Sequence, residues 1–218
     1  MRKKIVALCI LVGLALSACG GGNKSTSESS KVATDGEPIE IVISHIVDEN
    51  HTWHKGAEKF KEVAEEKSGG RLKVSIYPNS QLGNEIDTIQ SILTGGGCDI
   101  TFTAESMQTY AEELGVIGMP YAIKSEKQLY NVLDGEVGKE MEDIMLKSGM
   151  RVLGYFVRGP RNITSNTPIK TPDDLKGFII RTPQSPMTVA AFEAMGAKPT
   201  PMAFSEVFTS LQQGVING

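Results

Sequence analysis

The sequence predicts an α/β fold, and three observations predict it. Short apolar runs of strand length alternate with segments whose apolar residues recur at helical spacing. Glycines and prolines punctuate most boundaries between them. Beyond the N-terminal leader, no apolar run is long enough to span a bilayer. A β-α-β-α-β order calls for right-handed crossovers and a mainly parallel sheet covered on both faces.

The leader comes first. Arg2, Lys3 and Lys4 form a positive region, and residues 5–16 are apolar over the length of a signal peptide. Leu16-Ser-Ala-Cys19 then reads as a lipobox, in which small residues admit a peptidase and the Cys19 thiol carries the lipid. An ordinary signal peptide with an incidental Cys is the alternative. Residues 1–19 are thus expected to be a lipoprotein signal, and residues 20–38, rich in Gly, Ser, Thr, Asn and Lys, a flexible tether. Cleavage before Cys19 removes three positive charges and takes the formal −4 to −7. The expected location is extracytoplasmic, anchored to a membrane by lipid, in a periplasm or on the outer cell face. An acidic exported chain is not expected to seek nucleic acid.

Residues 39–45 (Ile-Glu-Ile-Val-Ile-Ser-His) predict the first strand. Trp53, Ala57, Phe60, Val63 and Ala64 share one face of a helix that Gly69-Gly70 stops. Residues 72–77 predict a second strand, ended by Pro78-Asn79. Leu82, Ile86, Ile89, Ile92 and Leu93 mark a second helix, closed by Gly95-Gly96-Gly97. Residues 98–103 alternate like a third strand. Ser125 and Gln128 form a capping box opening a helix, and Val137, Met141, Ile144 and Met145 give another, closed by Gly149. Residues 150–157 read as a crossover strand, so residues 39–157 are expected to form one α/β domain. Residues 158–218 are expected to form an incomplete second one: a capped turn at residues 171–177, a strand at residues 178–181, a helix from Ser185-Pro186 to Gly196, and a helix at residues 205–213. Val215-Ile216 would begin a further strand.

Of the 3 cysteines, Cys9 and Cys19 lie in the leader, so Cys98 has no partner for an internal disulfide and reads as a small buried apolar residue. His45, His51 and His54 stand near one strand end, but no fourth ligand is placed for a metal, and none is predicted. The glycine run precedes a strand, the wrong order for a phosphate loop. No nucleophile elbow or His-Glu-x-x-His motif occurs, so no catalytic residue and no cofactor is predicted.

Arg181 stands at the carboxyl end of a predicted strand, where open α/β sheets bind ligands. A guanidinium there offers a planar fork to a carboxylate. The alternative is a surface Arg paired with Asp173, Asp174 or Glu206. Arg158 has suitable chemistry but reads as a solvated neighbour or a secondary contact.

The last 23 residues carry a resemblance. The run Gly196-Ala-Lys-Pro-Thr-Pro-Met-Ala-Phe-Ser-Glu-Val-Phe-Thr-Ser-Leu-Gln-Gln-Gly-Val-Ile-Asn-Gly218 resembles G-A-x-P-x-P-M-x-x-x-E-V-Y-x-A-L-Q-x-G-V-V-D-G-Q-E-N, the signature of DctP-type solute-binding proteins of TRAP (tripartite ATP-independent periplasmic) transporters. Phe208, Ser210 and Asn217 depart from it. Gly177-Phe-Ile-Ile-Arg-Thr-Pro183 is similar to the family's G-x-x-[IV]-R-x-P, and Tyr77-Pro-Asn-Ser-Gln-Leu-Gly83 is also family-like. The resemblance implies a periplasmic-binding-protein-like (type II-like) receptor with two α/β domains and a hinge. It implies that Arg181 clamps the carboxylate of an organic acid, with Arg161 a second polar position. Phe204 would pack on the ligand's carbon skeleton and Glu105 would be a polar contact. His45 and Trp53 would lie at the crevice mouth, Trp53 serving equally well as a core staple. The implied partners are small and large membrane subunits of a carrier driven by an ion gradient. A binding protein of an ATP-driven importer or sensor system, and an extracytoplasmic enzyme acting on small acids, are the alternatives. The signature's Gln-Glu-Asn lies beyond residue 218, so residues 39–218 alone are expected to bind ligand poorly.

Overall fold

In the computed structural model, which describes residues 36–218, β1 (Ile39–Ser44) lies between β2 (Leu72–Tyr77) and β3 (Ile100–Thr101). Both pairings are parallel, with Ile41 opposite Val74 and Ile43 opposite Ile100. The predicted leader and lipobox, Cys19 included, fall outside the described residues.

α1 (Thr52–Lys67) links β1 to β2, and α2 (Glu85–Thr94) links β2 to β3. In the order β2-β1-β3, right-handed crossovers set these two helices on opposite faces of the sheet. Each helix begins and ends for a local reason. His51 accepts the Trp53 N–H at 3.1 Å ahead of α1, and Gly69 and Gly70, at φ of 63° and 85°, turn the chain out of it. Asn84 opens α2 with a reciprocal capping box: its Oδ1 accepts the Ile86 N–H at 2.8 Å, and Asp87 accepts the Asn84 N–H at 2.9 Å. On one face Ala57 of α1 packs with Ile43 and Val74. A second core joins Ile89 of α2 to Met107, Ala111, Leu114, Met141 and Met145. The exposed edge of β2 is closed by side chains: Glu65 accepts the Val74 N–H at 2.9 Å and Lys61 donates to the Val74 carbonyl. Capping of this kind takes Val74 out of the positions at which another strand could pair.

α3 (Glu126–Leu133) and α4 (Glu136–Lys147) follow, joined through Gly135. Ser125 caps α3, accepting from Gln128 N at 3.1 Å. The Gln128 side chain reaches back past the cap to the Lys124 N–H at 2.9 Å. A second, two-stranded parallel sheet pairs β4 (Ile179–Thr182) with β5 (Lys198–Pro201) through α5 (Pro186–Ala194), and α6 (Val207–Gln212) comes last. Leu175, Phe178, Ile180 and Ala197 form its core. The two sheet regions touch through Gln108, whose Oε1 accepts from Ser185 Oγ at 3.0 Å and from Met187 N at 3.2 Å.

Several expectations need correction. Residues 150–157, expected as a crossover strand, join no ladder among the described residues. Met150 is buried in the α2 core, while Leu153 and Phe156 are exposed. β3 is shorter than the predicted run, although Asp99 N and Phe102 N still bond the β1 carbonyls of Val42 and Ser44 at 2.9 and 3.3 Å. Leu82 precedes α2 and is exposed, so it is not on the helix's core face. β5 was not anticipated, because Pro199 and Pro201 suggest a turn; without an N–H, proline is tolerated on an edge strand. Val215-Ile216 opens no strand, yet the chain end runs beside β4, where Asn217 N donates to Ile179 O and Arg181 N to Gly218 O, both at 2.8 Å. Residues 105–118, which show no helical period, form two 3-10 helices, Glu105–Thr109 and Glu112–Gly118.

Candidate functional site

Alternation along β4 decides where Arg181 goes. Ile180 and Thr182 are buried, whereas Arg181 leaves the opposite face and is only partly covered. Its Nε and Nη2 donate to the Met202 carbonyl at 3.2 and 2.9 Å, and Met202 itself is tied to β4 through its N–H on Thr182 O at 3.1 Å. The guanidinium carbon lies 6.0 Å from the centre of the Phe204 ring. Burial, then the charge of Arg161, pulls the Arg181 pKa below its ordinary value, although a guanidinium stays charged in protein.

The carboxylates that could have neutralised Arg181 are engaged elsewhere. Asp173 pairs with Lys176 at 2.8 Å, Asp174 accepts the Lys170 and Thr171 N–H groups at 2.9 and 2.8 Å, and Glu206 accepts the Ala203 N–H at 3.1 Å. Among the described residues Arg181 forms no ion pair and its Nη1 has no acceptor.

Close by, two more guanidiniums converge on Glu105. Arg161 grips it with both arms of its fork, Nε to Oε1 at 2.9 Å and Nη2 to Oε2 at 2.6 Å, and Arg158 Nη2 also donates to Oε1. The Glu105 side chain is 16% exposed and each arginine's is 46% exposed, so the carboxylate is the inner member of the cluster. Glu85, in the first turn of α2, fixes the backbone on either side. Its two oxygens accept the Ala104 N–H at 3.0 Å and the Ser106 hydroxyl at 2.7 Å. Burial alone would raise the Glu105 pKa; the Arg161 hydrogen bonds and the charges of Arg161 and Arg158 override it and hold the carboxyl below its usual range. With the folded value depressed, the pair's contribution to stability is complete above the ordinary Glu value of about 4.3 and is lost as pH falls through the folded value. Urea unfolding between pH 7 and pH 3 is expected to show a shallower acid loss in Glu105→Gln than in the parent chain. Equal slopes would contradict the assignment.

The remaining predicted residues sit at the carboxyl end of the first sheet. His45, just past β1, is fully buried; its Nε2 lies 3.0 Å from His54 Nδ1, and its Nδ1 has no hydrogen-bond partner among the described residues. Burial and then the neighbouring His54 hold its pKa below the ordinary imidazole value. Trp53 stacks on Phe102 with ring centres 5.9 Å apart, and Phe102 meets Phe156 edge-on at 5.2 Å and His45 at 6.0 Å. Gly56 makes room for this: a Cβ there would stand 2.6 Å from the Phe156 ring. The family-like run at residues 77–83 supports the same corner, because Asn79 and Ser80, at φ of 54° and 57°, direct their N–H groups to the carbonyls of Val47 and His45. The structure thus brings Arg181 together with Phe204, and Arg161 together with Glu105. His45 and Trp53 lie in the aromatic cluster around Phe102. Among the described residues no group of three or more His, Cys, Asp or Glu is arranged to hold a metal ion. Cys98 is buried, its thiol raised by that burial.

Sequence reasoning missed Glu85, Phe102, Phe156 and the Met202 carbonyl. Phe102 could have been found from the alternation of residues 98–103. Glu85 acts on loop backbone far along the chain and the carbonyl belongs to no residue type, so neither leaves a mark in the sequence. Arg158, read as a neighbour, shares the Glu105 carboxylate directly.

Comparison with known proteins bears on this arrangement. Residues 43–218 match the model of the DctP family, described as bacterial extracellular solute-binding protein, family 7. A solute-binding protein of Roseobacter denitrificans is 41% identical over 207 residues, covering 94% of this chain and 62% of its own length. Its crystal structure, with bound L-galactonate, aligns with a TM-score of 0.79 over 82% of this chain and 60% of that one. The C4-dicarboxylate-binding protein DctB of Bacillus subtilis is 31% identical over 100% of this chain and 64% of its own. A TRAP periplasmic solute-binding protein of Sulfurospirillum deleyianum, crystallised with succinate, aligns at 33% identity and a TM-score of 0.78, over 82% of this chain and 58% of that one. The present chain therefore spans about 60% of the length of the relatives it matches. With a family model matched over most of its length and an α/β architecture shared with those binding proteins, the chain belongs to the DctP family of bacterial extracellular solute-binding proteins, the receptor family of TRAP transporters.

Proposed function

We propose that the complete gene product is the extracytoplasmic receptor of a TRAP transporter, capturing a small organic acid and handing it to a membrane carrier. The observation that carries this reading is the unpaired guanidinium of Arg181 at the carboxyl end of β4, backed by Met202 and flanked by Phe204. Nε and Nη2 already serve the Met202 carbonyl, so the Nη1–Nη2 edge is the one left for a carboxylate. Phe204 packs on the ligand's carbon skeleton. Arg161 and Glu105 act as a polar wall, Trp53 as an apolar one, and His45 lies behind it. The residues proposed as two domains, 39–157 and 158–218, close over the acid. Closure excludes water, strengthens the ion pair and draws the equilibrium towards the closed form. Relatives crystallised with L-galactonate and with succinate support a carboxylate ligand. The family relation supports binding without turnover, and the closed form is proposed to dock on the small and large TRAP membrane subunits.

Isothermal calorimetry of the complete gene product against C4-dicarboxylates, aldonates, uronates and sialic acid tests the reading: heat of binding with an acid is expected, and none with the matched neutral sugars. Turnover of the acid would overturn it. The lipid anchor on Cys19 is a separate part of the proposal, resting on the Leu16-Ser-Ala-Cys19 pattern. Cells fed a labelled fatty acid are expected to label the parent protein and leave Cys19→Ala unlabelled. Equal labelling of both, or of neither, contradicts the anchor.

A further inference from the structure

We infer that the site selects acids with one carboxylate and several hydroxyls over dicarboxylates, and that Glu105 is the residue that imposes this choice. The inference rests on the reading of Arg181 as the carboxylate clamp and deepens it. The charge of Arg161 acts on both Arg158 and Arg181, and two carboxylates, Glu105 and Glu85, act on the same pair from within the protein. One positive charge is left over, and it sits on Arg181, the one of these three arginines that forms no ion pair among the described residues. A monoanion balances it; a dianion leaves one negative charge in excess.

Geometry leads to the same conclusion. In a receptor with two free arginines, the second carboxylate of a diacid would find the second fork. Here the Nε–Nη2 edge of Arg161 is taken by Glu105, at 2.9 and 2.6 Å, its charge is already neutralised by that carboxylate, and Arg158 is bonded to the same group. Glu105 is not free to swing away, because Glu85 anchors the residues before and after it at 3.0 and 2.7 Å, and Ser106 is buried. A second ligand carboxylate would therefore approach a fixed carboxylate of like charge. An ionised carboxyl is acceptor-only and has lone pairs beyond those its arginines use, so ligand hydroxyls can donate to it. Like charges set against each other in a closed site repel, whereas hydroxyl-to-carboxylate hydrogen bonds are favourable. The same group thus attracts a polyol chain and repels a second acid.

Matched pairs make the test. Galactonate and galactarate, and gluconate and glucarate, differ within each pair by one carboxylate at the end of the same hydroxylated chain; succinate serves as the short diacid. Calorimetry of the complete gene product is expected to give at least one aldonate bound about tenfold or more tighter than its own aldarate and than succinate. In Glu105→Gln the aldonate preference is expected to shrink by about tenfold or reverse. A parent protein that binds an aldarate or succinate as tightly as the aldonates overturns the inference without needing the variant. So does a Glu105→Gln protein, folded by circular dichroism, whose preference is unchanged. Failure of the clamp itself looks different: Arg181→Ala would then leave binding of every acid intact, whatever their order. Binding of no acid at all overturns both readings.

Discussion

Replacing Arg181 with Ala is expected to weaken binding of the preferred acid by at least about a hundredfold while leaving the protein folded. The size follows from two charge-assisted hydrogen bonds, each worth about 1.5–3 kcal/mol once water is excluded. The persistence of the fold follows from what Arg181 does in the ligand-free chain. Its side-chain hydrogen bonds are made to one carbonyl, that of Met202, and it forms no ion pair among the described residues. Because both go to one carbonyl, their loss is expected to cost the fold about 1.5–3 kcal/mol. Arg181→Lys separates charge from shape: an ammonium keeps the attraction and loses the planar fork, so an intermediate affinity is expected. Calorimetry with urea unfolding as the folding control checks all three. Undiminished affinity in Arg181→Ala contradicts the clamp.

The largest effect on stability is expected from Ile89→Ala. Ile89 is fully buried on the inner face of α2 and packs with Met107, Ala111 and Leu114, so the lost methyl groups leave a cavity. The cost is about 3 kcal/mol, within the usual span for Ile to Ala in a core. The site feels this through α2, since Glu85 in its first turn orders the chain around Glu105. Urea unfolding is expected to show the midpoint fall with the slope unchanged. Calorimetry under native conditions is expected to show the acid still bound by the folded fraction. A loss below about 1 kcal/mol would mean that this core carries less of the fold than its burial implies.

The first half of the fold was legible because its sequence levels agree. From β1 to α2, apolar period and glycine stops agree on the order of the elements, and the predicted second strand coincides with β2 (Leu72–Tyr77). Legibility failed where one level was silent or misleading. Residues 150–157 have strand composition, but a ladder needs a partner, and β-propensity reflects packing on neighbours more than a backbone preference. β5 was hidden by Pro199 and Pro201, residues that mark turns in isolation and are tolerated on a sheet edge. The 3-10 helices of residues 105–118 carry no 3.6-residue period to detect.

The site divides along the same line. Arg181 could be singled out because a strand end before Thr-Pro is a local feature, and it does stand at the carboxyl end of a parallel strand. The bond between Glu105 and its arginines could not be, because 53 and 56 residues separate the partners and an ion pair has no sequence period. The alternative of a surface Arg181 paired with a carboxylate turns on the same kind of contact: Asp173, Asp174 and Glu206 are all engaged elsewhere, which no sequence pattern marks.

A structure of the complete gene product with its preferred acid bound tests the central claim most directly. The account predicts the ligand carboxylate within hydrogen-bonding distance of Nη1 and Nη2 of Arg181, with the Phe204 ring against the carbon chain. A carboxylate held elsewhere, with Arg181 still bonded to Met202 alone or facing bulk water, would contradict it.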